Sequence, residues 1–142
     1  MKVPGHGHIR KYSEDGQYTD AAAQSYKQGA LVVLTNNEIT ECGADPASIF
    51  GYAAGPAGKH PEGPLVTTIG KLGSGQKAWF PVSAAVTVAA NQDKSYGVVK
   101  DADGIWCVDI AETVNTRVFV HTVDEAKQMV LISVLVANRQ VL

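Results

Sequence analysis

Residues 28–55 read QGALVVLTNNEITECGADPASIFGYAAG, and this stretch indicates the fold class. Short runs of apolar and β-branched residues alternate in it with turn-forming residues, a texture typical of strands. The Asn36–Asn37 pair tolerates positive φ and is predicted to close a hairpin between LVVLT and EITEC. Asp45–Pro46 predicts a second turn, since proline presets φ and has no N–H for a sheet. Two or three short strands are therefore expected here.

Seven further apolar segments follow between residues 65 and 138, and connections containing Gly, Asn or Asp separate them. The segments are LVTTIGKL, KAWFPVS, AVTVAA, SYGVVKD, IWCVDIAE, TRVFVHTV and MVLISVLVAN. Each is rich in Val, Ile, Thr or aromatic residues, and strands at such spacing predict a β-barrel or a β-sandwich.

Local signals refine this prediction. GKLGSGQK (70–77) is interpreted as a flexible hairpin connection. Asp103–Gly104 favours a tight primed turn, and IWCVDIAE after it is predicted to be a central strand because both of its faces are apolar. Thr122 is a candidate N-cap for a helix of one or two turns over residues 123–129. The chain is therefore expected to be mainly β with at most one short helix.

The first 26 residues have no apolar periodicity that could bury a face. They are predicted to form an extended N-terminal arm (1–26), without regular secondary structure up to about residue 20, ahead of a β-rich domain (27–142). Tyrosines supply contact area at low entropic cost, so those of the arm are predicted to bind a partner protein. These are Tyr12, Tyr18 and Tyr26.

The segment AAGPAGKHPEGP (53–64) holds three prolines and three glycines and is predicted to be an exposed loop. Long loops in compact domains are uncommon unless they have a function. This loop is therefore a candidate protein contact, with Pro56, His60 and Pro61 as its predicted binding residues.

Length and composition restrict the classes of function. A chain of 142 residues is long enough for one domain with its own core. Charged residues make up only 18%, which suits a protein whose surface is largely covered by neighbours. The net charge of −2 and the lack of a Lys/Arg run argue against nucleic acid as a partner. No apolar run is long enough for a membrane span and no secretory leader is recognisable, so a soluble protein maturing in cytoplasm is expected.

Candidate chemistry is sparse. His6 and His8 lack further ligands for a closed metal site, and GKLGSGQK lacks the Lys and the following helix of a phosphate-binding loop. Cys42 and Cys107 are interpreted as buried thiols. His121 is the one base that could approach Cys107 across a sheet, and this is the weakest of the functional hypotheses. The sequence therefore predicts no enzyme, no cofactor and no metal site.

The order of the segments resembles that of the capsid decoration, or cement, proteins of tailed bacteriophages. The likeness covers residues 27–142 and rests on YKQGALVVLTNNEITECGADPASIFGYAAG, on GKLGSGQKAWFPVS, and on the terminal series SYGVVKDADGIWCVDIAETVNTRVFVHTV and VLISVLVANRQVL.

This resemblance implies a small β-barrel or β-tulip-like domain on the outside of a phage head, where it would stabilise the capsid by bridging neighbouring major capsid protein subunits. The chain would associate as a homo-oligomer, with a trimer favoured over a dimer, and its arm would reach across neighbours. It would reside in the virion, and in host cytoplasm during assembly. The self-contact is expected at the apolar C-terminal strand (129–136) or at the loop 55–64.

Two alternatives belong to other classes of function. One is a different virion component, either a head-to-tail adaptor or a tail protein. The other is a carbohydrate-binding module that uses Trp79, Trp106 and the aspartates at positions 101, 103 and 109; it would need both indole rings exposed. Because Trp79 and Trp106 lie within apolar strands, the sequence favours core or interface positions for them.

Overall fold

The computed structural model describes residues 14–58 and 66–141, and it places two β-sheets there. The elements are β1 (Glu14–Asp20), β2 (Leu31–Thr35), β3 (Glu38–Glu41), β4 (Gly51–Ala53), β5 (Val66–Lys71), β6 (Ala78–Pro81), α1 (Val88–Asn91), β7 (Lys94–Lys100), β8 (Trp106–Asp109), β9 (Val118–Asp124), β10 (Met129–Val134) and a 3-10 turn (Val136–Asn138). The predicted mainly β class, with a barrel and one short α-helix, is confirmed.

The first sheet is a closed barrel in the order β1-β3-β2-β4-β5. It closes because β5 pairs antiparallel with β1 over six residues, while β1 pairs in parallel with β3. The predicted β2–β3 hairpin is confirmed: Asn36 and Asn37 have φ of 52° and 65°, as a primed two-residue turn requires.

The second sheet has the order β6-β10-β9-β7-β8; β7–β8 and β9–β10 are hairpins, and β6 pairs with the distant β10. Its two outer strands approach each other, since Val82 forms a bridge with Val108 and the Ser83 N–H donates to the Val108 carbonyl at 2.9 Å. The sheet is thus curled so that the end of β6 meets β8 at this bridge.

One hydrophobic cluster spans both sheets. The inward residues of β10 are almost fully buried, as are Ile39, Ile49 and Ile69 of the barrel side. The rings of Tyr52 and Phe80 meet edge to face at 5.9 Å and join β4 to β6. The barrel and the second sheet therefore share a core.

A carboxylate on the barrel reinforces this joint. Glu41 of β3 accepts a hydrogen bond from the Trp106 indole N–H at 2.8 Å and is paired with Lys100 at 3.1 Å. The C-terminal segment returns to the barrel too, since the Gln140 side chain accepts from the Leu34 N–H at 2.9 Å. Polar contacts from the second sheet thus fix the barrel's β2–β3 hairpin.

The position of the helix differs from the prediction. AVTVAA was expected to be a strand, but Thr87 accepts a hydrogen bond from the Ala90 N–H at 3.1 Å and caps α1. The predicted helix over 123–129 is wrong. Asp124 and Met129 pair across a turn in the β9–β10 hairpin, because strand pairing buries Val123 and Val130 against the core.

Two further strand predictions are corrected. GKLGSGQK is not a hairpin connection, because β5 belongs to the barrel and β6 to the second sheet. IWCVDIAE is not a central strand: β8 lies at the end of the sheet order, although Trp106, Cys107 and Val108 are buried. The turn before it is also not a two-residue primed turn. The Asp101 N–H donates to the Ile105 carbonyl, and Gly104 is the residue there with positive φ.

The boundary of the predicted arm changes as well. Residues 14–20 form β1, a fully paired strand of the barrel, so the absence of regular structure up to about residue 20 is wrong for this part. β1 lacks apolar alternation because only some of its side chains reach the core, and pairing on both sides holds it in place.

Candidate functional site

Two of the predicted binding tyrosines belong to the barrel. Tyr18 of β1 is half-buried; its ring packs edge to face on Phe50 at 5.3 Å, and the Lys71 ammonium lies 5.8 Å from its centroid. Tyr26 is only 4% exposed, and its hydroxyl donates to Asp20. The prediction that Tyr26 is an anchor on a free arm is therefore wrong, because the core already covers it. Tyr12 lies outside the described residues.

Asp20 is the centre of a buried polar cluster at the end of β1. Its second carboxylate oxygen accepts from the Thr67 hydroxyl at 2.7 Å and from the Gly58 N–H at 2.8 Å, while the first accepts from Tyr26. Burial raises the pKa of Tyr26 well above its ordinary value, and the hydrogen bond to Asp20 adds to the shift. Tyr26 therefore stays protonated and donates to the carboxylate.

This cluster fixes the start of the Pro/Gly loop. We call residues 54–58 the loop turn. Its backbone N–H groups at Ala54 and Ala57 donate to the carbonyls of Thr68 and Tyr26 at 2.8 and 3.0 Å, and Asp20 holds Gly58. Pro56 is exposed at the tip, as predicted. His60 and Pro61 lie outside the described residues.

A second surface surrounds Trp79 of β6. Ala78 and Phe80 point into the core, so the alternation of the strand places Trp79 outward, where it is 42% exposed. A cleft of about 360 Å³ on one side of the indole is lined by Trp79, Asp124, Lys127 and Met129. We call these four residues the Trp79 patch.

A cleft on the other side of the indole connects the two surfaces. It has a volume of about 320 Å³ and runs between β6 and the barrel, past Tyr52 and Ala53 to Ala54 of the loop turn. The loop turn and the Trp79 patch thus lie on one continuous stretch of surface, which is the candidate interaction site.

The second tryptophan does not share this surface. Trp106 is 3% exposed and its N–H is bonded to Glu41, so the two-ring platform of the carbohydrate hypothesis does not form. The aspartates shape turns: Asp101 accepts from the N–H groups of Asp103 and Ile105, and Asp109 accepts from the Ala111 N–H.

Cys107 and His121 do not pair. The Cys107 thiol donates to the Val99 carbonyl at 3.6 Å, and burial raises its pKa, followed by the charges of Asp101 and Asp109. Cys42 is buried too, which raises the pKa of its thiol to about 12. Both thiols therefore remain protonated and weakly nucleophilic near neutral pH.

His121 instead contacts Ser133, a pair that the sequence analysis missed. The ring nitrogen Nε2 lies 2.7 Å from Ser133 Oγ, and the ring packs edge to face on Phe119 at 4.8 Å. A β-bulge between β9 and β10 turns His121 toward β10. The one available signal was a serine inside the apolar run MVLISVLV.

The His121–Ser133 pair lacks features of a catalytic dyad. Ser133 is 7% exposed, and within residues 14–58 and 66–141 no carboxylate is bonded to the other ring nitrogen. Burial lowers the pKa of His121, and the charge of Lys77 lowers it further. The neutral form of the imidazole is thus favoured. Its contact with Ser133 links β9 to β10.

Within the described residues, no group of three or more His, Cys, Asp or Glu side chains converges to hold a metal ion. His6 and His8 lie outside them. None of the helices in the described ranges has the length and apolar run needed to cross a bilayer.

Comparison of the sequence with protein-family models and with curated proteins finds no match.

Proposed function

We propose that this chain is a structural virion protein that binds the outer surface of a tailed-phage head and stabilises it by bridging neighbouring major capsid protein subunits. The sequence resemblance over residues 27–142 supports this function. The single structural observation that supports it is the loop turn, a partly exposed segment whose backbone is held at Gly58 by the buried carboxylate of Asp20 and at Ala54 and Ala57 by backbone carbonyls.

The order of the loop turn before binding reduces the entropic cost of binding. A loop that is mobile before binding must be ordered at a cost in affinity, whereas a loop fixed in advance avoids that cost. The bonds from Asp20, Thr68 and Tyr26 hold residues 54–58 while Pro56 stays exposed. A segment ordered in this way on a β scaffold suits attachment to a repetitive protein surface.

A capsid offers many equivalent sites. A bridging protein that contacts two neighbouring subunits gains avidity even when each contact is weak. The low fraction of charged residues agrees with contacts made by uncharged polar and apolar groups.

The test mixes the purified chain with heads that lack it, from the phage that encodes it, and measures binding by co-sedimentation. We expect the unaltered protein to bind. Asp20→Asn keeps the size of the side chain but removes the charge that accepts from Tyr26, Thr67 and Gly58, so binding should weaken about tenfold. The fold is checked by circular dichroism.

Asp103→Asn is the matched control, because this exposed acid lies in the turn between β7 and β8 and its side chain is not among the groups that hold residues 54–58. It should bind as the unaltered protein does. If the unaltered chain does not bind heads, the proposed function is wrong. If it binds and a folded Asp20→Asn variant binds equally well, the loop turn is not the contact.

A further inference from the structure

The Trp79 patch has two properties that the proposed attachment through the loop turn does not use. It exposes 42% of a tryptophan, the residue type most enriched at energetically dominant positions of protein interfaces. Beside that indole lies a cleft of about 360 Å³, which is large enough to receive an aromatic side chain. The patch thus carries both a protruding ring and a cavity for one.

The Trp79 patch also carries charges of both signs. Asp124 and Lys127 line the same cleft, one acidic and one basic. Among the described side chains neither forms an ion pair; Asp124 accepts only the backbone N–H of Lys127, at 3.0 Å, which shapes the β9–β10 turn. Both charges are therefore available to a partner of opposite pattern.

We propose that the Trp79 patch is a two-fold contact between two copies of this chain. Each Trp79 enters the cleft of the other copy, and each Lys127 faces the Asp124 of the other copy. In a two-fold interface the same patch serves on both sides, so residue i meets j and j meets i. A patch that combines a ring with a cleft, and an acid with a base, meets this requirement by itself.

The two-fold assignment departs from the trimer favoured by the resemblance. A ring of three copies needs two different complementary surfaces on each chain, whereas the Trp79 patch is complementary to itself. The contact also replaces the apolar strand β10 as the expected self-contact, because the inward side chains of β10 are buried within the chain. Of the residues of β10, the Trp79 patch contains only Met129, the first residue of the strand.

Sedimentation velocity on the purified protein alone tests the contact across a wide concentration range. No capsid is present, so this result is independent of head binding. We expect a monomer–dimer equilibrium, and Trp79→Ala should raise its dissociation constant about 30-fold or more. Val114→Ala is the control, an exposed apolar residue elsewhere that should leave the constant unchanged.

A charge exchange tests the two-fold arrangement. Asp124→Lys and Lys127→Asp should each shift the equilibrium to monomer, because like charges then face each other across the axis. A one-to-one mixture of the two variants should dimerise again, since one copy then carries only bases and the other only acids. Asp124→Asn, which can still accept from the Lys127 N–H, guards against loss of the turn and should weaken dimerisation moderately.

Several outcomes would overturn the proposal. These are an unaltered protein that stays monomeric at the highest concentration reached, a mixture of folded variants that stays monomeric, and a trimer that depends on Trp79. Self-association that is unaffected by Trp79→Ala, with head binding lost, would instead assign the patch to the capsid contact and equally reject the two-fold contact.

Discussion

The barrel and the second sheet reach similar burial by different routes. The second sheet contains two hairpins, β7–β8 and β9–β10, and more distant pairings of β7 with β9 and of β6 with β10 complete it. The barrel closes by pairing β1 with β5 and, in parallel, with β3. Those contacts join distant segments, and no local turn can specify them.

The barrel and the second sheet also differ in the contacts that stabilise them. Besides buried aliphatic side chains, the barrel has a close backbone approach of β4 to β5 and the buried carboxylate of Asp20. The second sheet depends on inward aliphatic side chains, and it leaves Trp79 on its outer face. The exposed ring of Trp79 and the loop turn both depend on pairings of distant segments, β6 with β10 for the ring and β1 with β5 for the loop turn.

The two tryptophans of the second sheet give the largest expected contrast. Trp106→Ala should lower the free energy of unfolding by about 3–5 kcal/mol, because it empties a buried site and leaves Glu41 without its indole partner. Trp79→Ala should lower it by only about 1 kcal/mol, since that ring is largely outside the core. Urea unfolding at low protein concentration, followed by circular dichroism, measures both.

Equal losses for the two tryptophan variants would mean that Trp79 is packed more tightly than its exposure indicates. A single transition in the Trp106 variant would support one cooperative unit, as expected from the shared core. Two transitions would show that the barrel unfolds separately from the second sheet.

The closure of the barrel can be tested at Gly51 of β4. A Cβ at this position would overlap the backbone carbonyl of Gly70 on β5 and would touch Ile69. Gly51→Ala should therefore cost about 2–3 kcal/mol in unfolding free energy, measured by the same urea unfolding.

Gly73→Ala is the matched control for the barrel, because a Cβ there meets nothing within 4 Å and the position has no positive φ. It should change stability by less than about 0.5 kcal/mol in either direction. If Gly51→Ala were as stable as this control, β4 and β5 would not approach as closely as described.

The smallest expected effect concerns pH and the outer face of the second sheet. Burial and Lys77 lower the pKa of His121 below its ordinary value of 6.5, so the unfolded chain binds this proton more readily. The resulting stability is present above about pH 6.5 and is lost as the pH falls through the folded-state pKa.

Thermal unfolding between about pH 8 and about pH 5 measures this effect against His121→Gln, which can still bond to Ser133. The unaltered protein should lose more stability on acidification than the variant. Histidines elsewhere in the chain are common to both and cancel. Identical slopes would show that His121 titrates as it does in the unfolded chain.

Local residue types predicted the β2–β3 hairpin, since Asn36 and Asn37 can adopt positive φ without help from the rest of the chain. They also predicted that Pro56 is exposed, because the prolines and glycines around it disfavour regular structure. They did not predict β1, whose residues EDGQYTD lack an apolar face and become a strand because β5 and β3 lie beside them. Local residue types also failed at residues 123–129. Thr122 predicted a helix N-cap there, but the pairing of β9 with β10 forms a hairpin instead.

The sequence by itself determined the β-rich class, the position of most strands and the turn at Asn36–Asn37, because alternation and turn chemistry act within a few residues. The tertiary structure alone decided which tryptophan is exposed, the partner of His121 and the burial of Tyr26. The exposed face of β6 depends on its pairing with β10, the partner of His121 on the register of the β9–β10 hairpin, and the burial of Tyr26 on the assembly of the core. The immediate neighbours of a residue in the chain carry no information about such pairing, register and packing.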